Sequence, residues 1–168
     1  ILPNFIDDWV DSSGVILAFG KLTGIERLAE MGAGGANIPP EWMVNINAGC
    51  IIVLMIPVAV FFSRFSALTS INLGIFISAA GLVLAGASMS GALCIAGILV
   101  FSIGEMASSP KKLEYLSSLA PPDKKGLYLG YANVPLAVGW AIGSKIGGHL
   151  YEFYADKTNL AKQVLRGD

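Results

Sequence analysis

Apolar residues along this chain gather in long runs separated by short polar breaks, without the strict alternation that marks half-buried strands. Four runs are long enough to cross a bilayer, which takes about 20 mostly apolar residues. They lie at about Pro40–Phe62, Leu68–Ser88, Gly91–Pro110 and Leu127–Tyr151. Such spans must be helices, because an open strand edge leaves backbone groups unsatisfied in lipid. The pattern therefore predicts an all-α membrane protein with four transmembrane helices over residues 40–151.

The flanks divide in the same way. Residues 1–10 form an apolar stub, Ile1 to Ile6, closed by Asp7 and Asp8, and read as the end of a preceding transmembrane helix. Residues 11–39 form an outer loop. Within it Ile25-Glu26-Arg27-Leu28-Ala29-Glu30-Met31 has the apolar spacing of a short interfacial helix, which Gly32 and the glycines after it would end. Pro39-Pro40 then opens the first span, where proline is tolerated in the first turn. Residues 152–168 read as an outer tail leading to a helix that the chain does not contain. The first residues lack the basic region and long apolar core of a signal peptide. The whole reads as a fragment of a longer membrane protein.

Composition sharpens the class. Charged residues make up 14% of the chain, against about 25% in soluble domains. The net charge of −1 comes without a basic stripe, so no nucleic-acid partner is expected. Cys50 and Cys94 both lie in apolar runs and read as packing residues, while the lone His149 reads as a helix-end or interfacial residue. No nucleophile with a base, phosphate-binding loop or metal-ligand spacing emerges, so the expectation is no enzyme, no cofactor and no metal.

Charge placement predicts orientation. Arg64 lies in the turn between the first two spans, and Lys111, Lys112, Lys124 and Lys125 lie between the third and fourth. The turn Ala87–Gly91 has no charge. Basic residues in short loops mark the cytoplasmic side, and an alternating path puts Arg64 and the lysines together there. The outer segments also carry Lys21, Arg27, Lys157, Lys162 and Arg166, so the bias is partial.

The candidate chemistry centres on Glu105. A carboxylate inside a span costs roughly 2.5–3.5 kcal/mol at the helix centre, so such residues are rare and usually functional. Ser102, Glu105, Ser109 and Lys112 recur at helical spacing, with Ser108 beside them, and such a stripe should face a bundle interior or a hydrated cavity. Pro110 weakens the helix just beyond. The competing reading puts Glu105 near enough to the inner interface to be solvated. In the fourth span Gly139, Gly143 and Gly147 recur every four residues and line one face with almost no side chain. That face reads either as static packing or as a surface that rocks against its partner. Gly130 and Pro135 predict a bend in the same helix. Asn45 and Asn47 read as interfacial or interhelical hydrogen-bonding groups, and Lys145 as a snorkelling side chain.

The stretch Gly104-Glu105, Ser109-Pro110, Leu119-Ala120-Pro121-Pro122, Lys125-Gly126-Leu127 and Gly130 resembles the proton-coupled oligopeptide transporter branch of the major facilitator superfamily. Phe62-Ser63-Arg64-Phe65 with Leu68-Thr69 is similar to the family's loop between its eighth and ninth helices. The resemblance implies that the four spans belong to the C-terminal bundle of a two-bundle transporter, preceded by part of its seventh helix. It implies a proton-coupled symporter in a bacterial inner membrane, with a small solute and protons as partners alongside the lipid bilayer and a missing N-terminal half. Glu105 matches a glutamate that faces the central cavity near a bound peptide's amino terminus. Ser102 and Ser109 would line its face, and Arg64 with the lysines would hold the cytoplasmic gate. Lys111-Lys112 replaces a small or apolar pair common in peptide transporters, and Ala132 stands where tryptophan is common. Alone, the chain should not transport, since an alternating-access site needs both halves. The rival reading is a non-transporting membrane scaffold whose polar groups only join helices.

Overall fold

The computed structural model describes residues 2–166, so Ile1 of the expected stub and Gly167 and Asp168 of the expected tail lie outside the described residues. Its elements are α1 (Leu2–Trp9), α2 (Ser13–Thr23), α3 (Glu26–Ala33), α4 (Pro40–Phe62), α5 (Ala67–Gly86), α6 (Gly91–Leu119), α7 (Lys125–Tyr131), α8 (Asn133–Tyr154) and α9 (Lys157–Arg166). The protein is an all-α, multi-pass integral membrane protein. Among the described residues three helices, α4, α5 and α6, are long and apolar enough to cross a membrane, with 23, 20 and 29 residues. At about 1.5 Å per residue each reaches about 30 Å, the thickness of the hydrocarbon layer.

The expected fourth span departs from this. Its helix breaks at Ala132, between Gly130 and Pro135, into α7 and α8. With 22 residues α8 has the length of a span, but it is not among the helices apolar enough to cross. Lys145, His149, Glu152 and the glycines at 139, 143, 147 and 148 dilute its apolar content. The third span is part of a longer helix. α6 runs through Pro110 to Leu119, as the apolar spacing of Leu113–Leu119 predicts, and stops where Ala120 turns extended before Pro121-Pro122. Lys111 and Lys112 therefore stand on a helix rather than in a loop, and Lys111 pairs with Glu114 one turn on, at 2.8 Å. The outer loop holds two helices where one was expected. α2 ends at Gly24, whose φ of +70° suits glycine, and α3 folds back along it.

α6 is the axis of the bundle, with α5 packed along it and α4 beside it. The α5–α6 contact is built from small residues. A Cβ added at Gly81 would lie 2.4 Å from the Phe101 nitrogen, and one at Gly97 would lie 2.4 Å from the Ala85 nitrogen. Gly74 and Gly104 sit equally close to the opposite helix, near Ser108 and Ser78 respectively. Backbones this close gain dispersion over their whole length, which replaces the hydrophobic drive that lipid does not provide. At the Arg64 turn the buried Ser70 hydroxyl donates to the Phe62 carbonyl at 3.3 Å, and Ser66 caps α5 by accepting from the Thr69 N–H. Both bonds satisfy groups that a helix end leaves open.

At the other end, two residues between α1 and α2 clasp the structure. The Asp11 N–H donates to the Met89 carbonyl and the Gly91 N–H donates to the Asp11 carbonyl, each at 2.7 Å. Ser12 is buried, and its hydroxyl accepts from the Ile38 N–H at 2.7 Å. The Asp11 carboxylate accepts from the hydroxyl and N–H of Ser13, which holds its carboxyl below the usual range. Ser12→Ala is expected to destabilise the protein by about 0.5–1.5 kcal/mol, because the half-buried Ile38 N–H loses its acceptor. Faster hydrogen exchange at Ile38, together with a lower denaturant midpoint, checks this.

Candidate functional site

Ser102 and Glu105 are three residues apart on α6, so they share one face. That face meets α4 at Asn47. The Asn47 Nδ2 donates to Glu105 Oε2 at 3.2 Å, and the Ser102 hydroxyl donates to Asn47 Oδ1 at 2.6 Å. Ser102 is fully buried, and its Oγ also lies 2.7 Å from the Ile98 carbonyl one turn back. Glu105 and Asn47 are half-buried. The carboxylate thus lies against a neighbouring helix and accepts a hydrogen bond there, the arrangement expected of a polar group held inside a bundle. An apolar cavity of about 80 Å³ borders Asn47, Ile98 and Phe101.

Charge around this site is sparse. α5 has no ionisable residue, and α4 has none between Glu41 and its end except Cys50. On α6 the nearest charges are Lys111 and Lys112. No ion pair to Glu105 is formed among the described residues. Among the described residues its charge is met by the Asn47 amide dipole rather than by a cation.

The other expected residues fall elsewhere. Ser109 is exposed and makes no hydrogen bond among the described residues, so it does not share the surroundings of Ser102. The Ser108 hydroxyl donates to the Gly104 carbonyl at 3.0 Å and belongs to the α5 contact. Gly139 and Gly143 form an open face, where an added Cβ would meet nothing within 4 Å, and Gly147 is half-buried. Close glycine packing is found instead in α5 and α6. Its sequence signal is the small-residue series Gly74, Ser78, Gly81 and Ala85, spaced by four, three and four. Arg64 is exposed in the α4–α5 turn, and Lys124 and Lys125 are exposed at the start of α7. Lys112 is half-buried and lines a cavity of about 610 Å³ with Tyr115, Tyr128 and Tyr131.

α8 stands apart from α4–α6 and is tied to α1 near its C-terminal end. The Tyr151 hydroxyl donates to Asp8, and the Trp9 indole N–H donates to the Ala155 carbonyl at 2.7 Å. Lys157 stands 5.0 Å over the Trp9 ring, within cation–π range. Asp7 and Asp8, unplaced by the sequence pattern, thus flank the contact that brings the two ends of the chain together.

Comparison with known proteins places the chain beside bacterial membrane transport. It is 28% identical over 118 residues to the Multidrug resistance protein MdtH of Photorhabdus laumondii, covering 67% of this chain and 28% of that protein. Against the protein of the same name from Proteus mirabilis it is 28% identical over 113 residues, with the same coverage. Against that from Escherichia coli O1:K1 it is 29% identical over 125 residues, covering 70% of this chain and 30% of that protein. The chain therefore spans less than a third of the length of these curated relatives. No family model matches it, and no solved structure does. These relatives are named for drug resistance, and they do not single out the oligopeptide branch.

Proposed function

We propose that this chain is part of the C-terminal bundle of a major facilitator transporter that moves a small amphipathic solute across a bacterial inner membrane, coupled to protons. The carrying observation is the Glu105 carboxylate, set among apolar helices and held by the Asn47 amide across α4 and α6. Among the described residues α4 and α5 bring no cation to it, so a neutral amide meets its charge. A carboxylate that must gain and lose a proton or a cationic solute is served by a weaker, neutral partner. Helical spans, unlike a closed strand barrel, suit the inner membrane.

The similarity to proteins named for multidrug resistance supports transport over a scaffold role. It also favours drug-like solutes over peptides, and export over uptake, so that protons would run opposite to the solute. Arg64, Lys124 and Lys125 would mark the cytoplasmic side, with Lys111 and Lys112 on the inner extension of α6. The open face of Gly139 and Gly143 would receive a helix of the remaining transporter, with Gly147 continuing the same series.

Reconstitution of the complete protein in vesicles tests this. Efflux of a cationic amphipathic dye is expected to follow an imposed pH gradient and to stop when an uncoupler removes it. Dye movement indifferent to the gradient, or no movement at all in folded protein, would sink the reading.

A further inference from the structure

We propose that Glu105, Asn47, Ser102 and the Ile98 carbonyl form a hydrogen-bond chain whose direction reverses when Glu105 takes a proton. This rests on the reading of Glu105 as a proton site and adds two positioning residues, Asn47 and Ser102. The reasoning is a count of protons. Ser102 Oγ lies 2.6 Å from Asn47 Oδ1 and 2.7 Å from the Ile98 carbonyl, but its hydroxyl has a single proton to donate. One of those contacts must lack it.

With Glu105 ionised, the carboxylate has no proton, so the Asn47 NH2 group must face it, as observed at 3.2 Å. The amide oxygen then points at Ser102 and takes its proton, and the Ile98 carbonyl keeps only its bond within the helix. With Glu105 protonated, the carboxyl O–H can donate. A half-turn of the Asn47 amide exchanges its oxygen and nitrogen without moving the heavy-atom positions. The amide oxygen then accepts from Glu105, the NH2 group donates to Ser102 Oγ, and the Ser102 proton turns to the Ile98 carbonyl. The Glu105–Asn47 and Asn47–Ser102 bonds survive in both states with donor and acceptor exchanged, and the bond from Ser102 to the Ile98 carbonyl forms only when Glu105 is protonated. Glutamine at 47 would lengthen this bridge, and aspartate would bring a second charge to it.

No other titratable side chain bonds to this chain among the described residues. α4 carries Glu41 toward its start and Cys50 one turn beyond Asn47, and α5 carries none. α6 carries Cys94 more than one turn before Ser102, and Lys111, Lys112, Glu114 and Tyr115 after Pro110. α1, against the start of α4, carries Asp7 and Asp8; α2, against the start of α6, carries Lys21; α7, against its end, carries Lys125, Tyr128 and Tyr131. A single protonation can therefore set the direction. Because Asn47 stands on α4 and the rest on α6, the change is felt at the contact between two spans, where an alternating-access protein must read its proton.

Infrared difference spectra of the protein in lipid vesicles test this, with asparagine side chains isotope-labelled and the Asn47 band assigned by its loss in Asn47→Leu. The Asn47 amide band is expected to shift with the same pH midpoint as the Glu105 carboxyl band. Both changes should vanish in Glu105→Gln. In Ser102→Ala the carboxyl band should still titrate while the amide shift is lost, and Ser102→Thr should restore it. A Glu105 band that titrates while the Asn47 band stays fixed overturns the reversing chain and leaves the proton site standing. A Glu105 band that never titrates overturns the proton site itself.

Discussion

Replacing Glu105 with glutamine is expected to reduce gradient-driven transport by the complete protein to the level seen without a gradient, while the protein folds and inserts normally. Glutamine nearly matches glutamate in shape and can still face the Asn47 amide, which donates to Glu105 at 3.2 Å. What it removes is the ability to carry a charge or exchange a proton. A hydrogen bond to a charged group is worth about 1.5–3 kcal/mol, so a solute held by that carboxylate should bind about tenfold more weakly or worse. The two roles separate by experiment. If Glu105 only couples protons, exchange of labelled for unlabelled solute in the absence of a gradient persists in the variant. If it holds the solute, exchange falls too, most for solutes bearing a free amine. Gradient-driven transport that continues at the normal rate in Glu105→Gln would remove the residue from the mechanism.

The largest expected loss of stability comes from the α5–α6 seam. Gly81→Leu should destabilise the protein by about 3 kcal/mol or more, beyond the usual range for overpacking. The reason is the nature of the obstacle. The Cβ would lie 2.4 Å from the Phe101 nitrogen and 2.8 Å from the Gly97 carbonyl oxygen, which are backbone atoms of a long helix and cannot swing aside. Even Gly81→Ala should be destabilising, although alanine gains about 1 kcal/mol over glycine in an ordinary helix interior. Gly139→Ala supplies the contrast, since nothing lies within 4 Å of its added Cβ. In this chain it should be neutral or slightly stabilising. Unfolding in mixed detergent micelles, followed by circular dichroism, ranks the variants. Equal behaviour of Gly81→Ala and Gly139→Ala would mean that the seam is not as tight as its geometry states. In the complete protein, a Gly143→Leu defect absent from this chain would identify the open face as an interface with another helix.

Much of the architecture was legible along the chain. The spans at α4 and α5 begin and end within a few residues of their expected bounds, because a long apolar run in lipid has no alternative to a helix. The continuation of α6 past Leu113 and its end at Ala120 follow from the apolar spacing and the paired prolines. Elsewhere local signals stop short of the outcome. Pro110 reads as a place of weakness, yet α6 passes through it, since tertiary packing on both sides of that turn outweighs one lost backbone bond. The glycine repeat of α8 is more regular than that of α5, yet it is the α5 series that meets a neighbouring helix. A face of small residues states that close approach is allowed, and only the partner determines whether it occurs.

The sequence by itself determined that this chain crosses a bilayer as helices and that one carboxylate, Glu105, lies in a setting where its desolvation must be explained. Both follow from local properties: the length of each apolar run and the cost of charge in lipid. Tertiary structure decided which groups answer that charge. Asn47 and Glu105 are 58 residues apart, and Asn47 and Ser102 are 55 apart. No periodicity within one helix relates them. They meet because glycines let α5 and α6 close together while α4 settles against the same axis, and hydrogen bonds form only where that packing brings the side chains within reach.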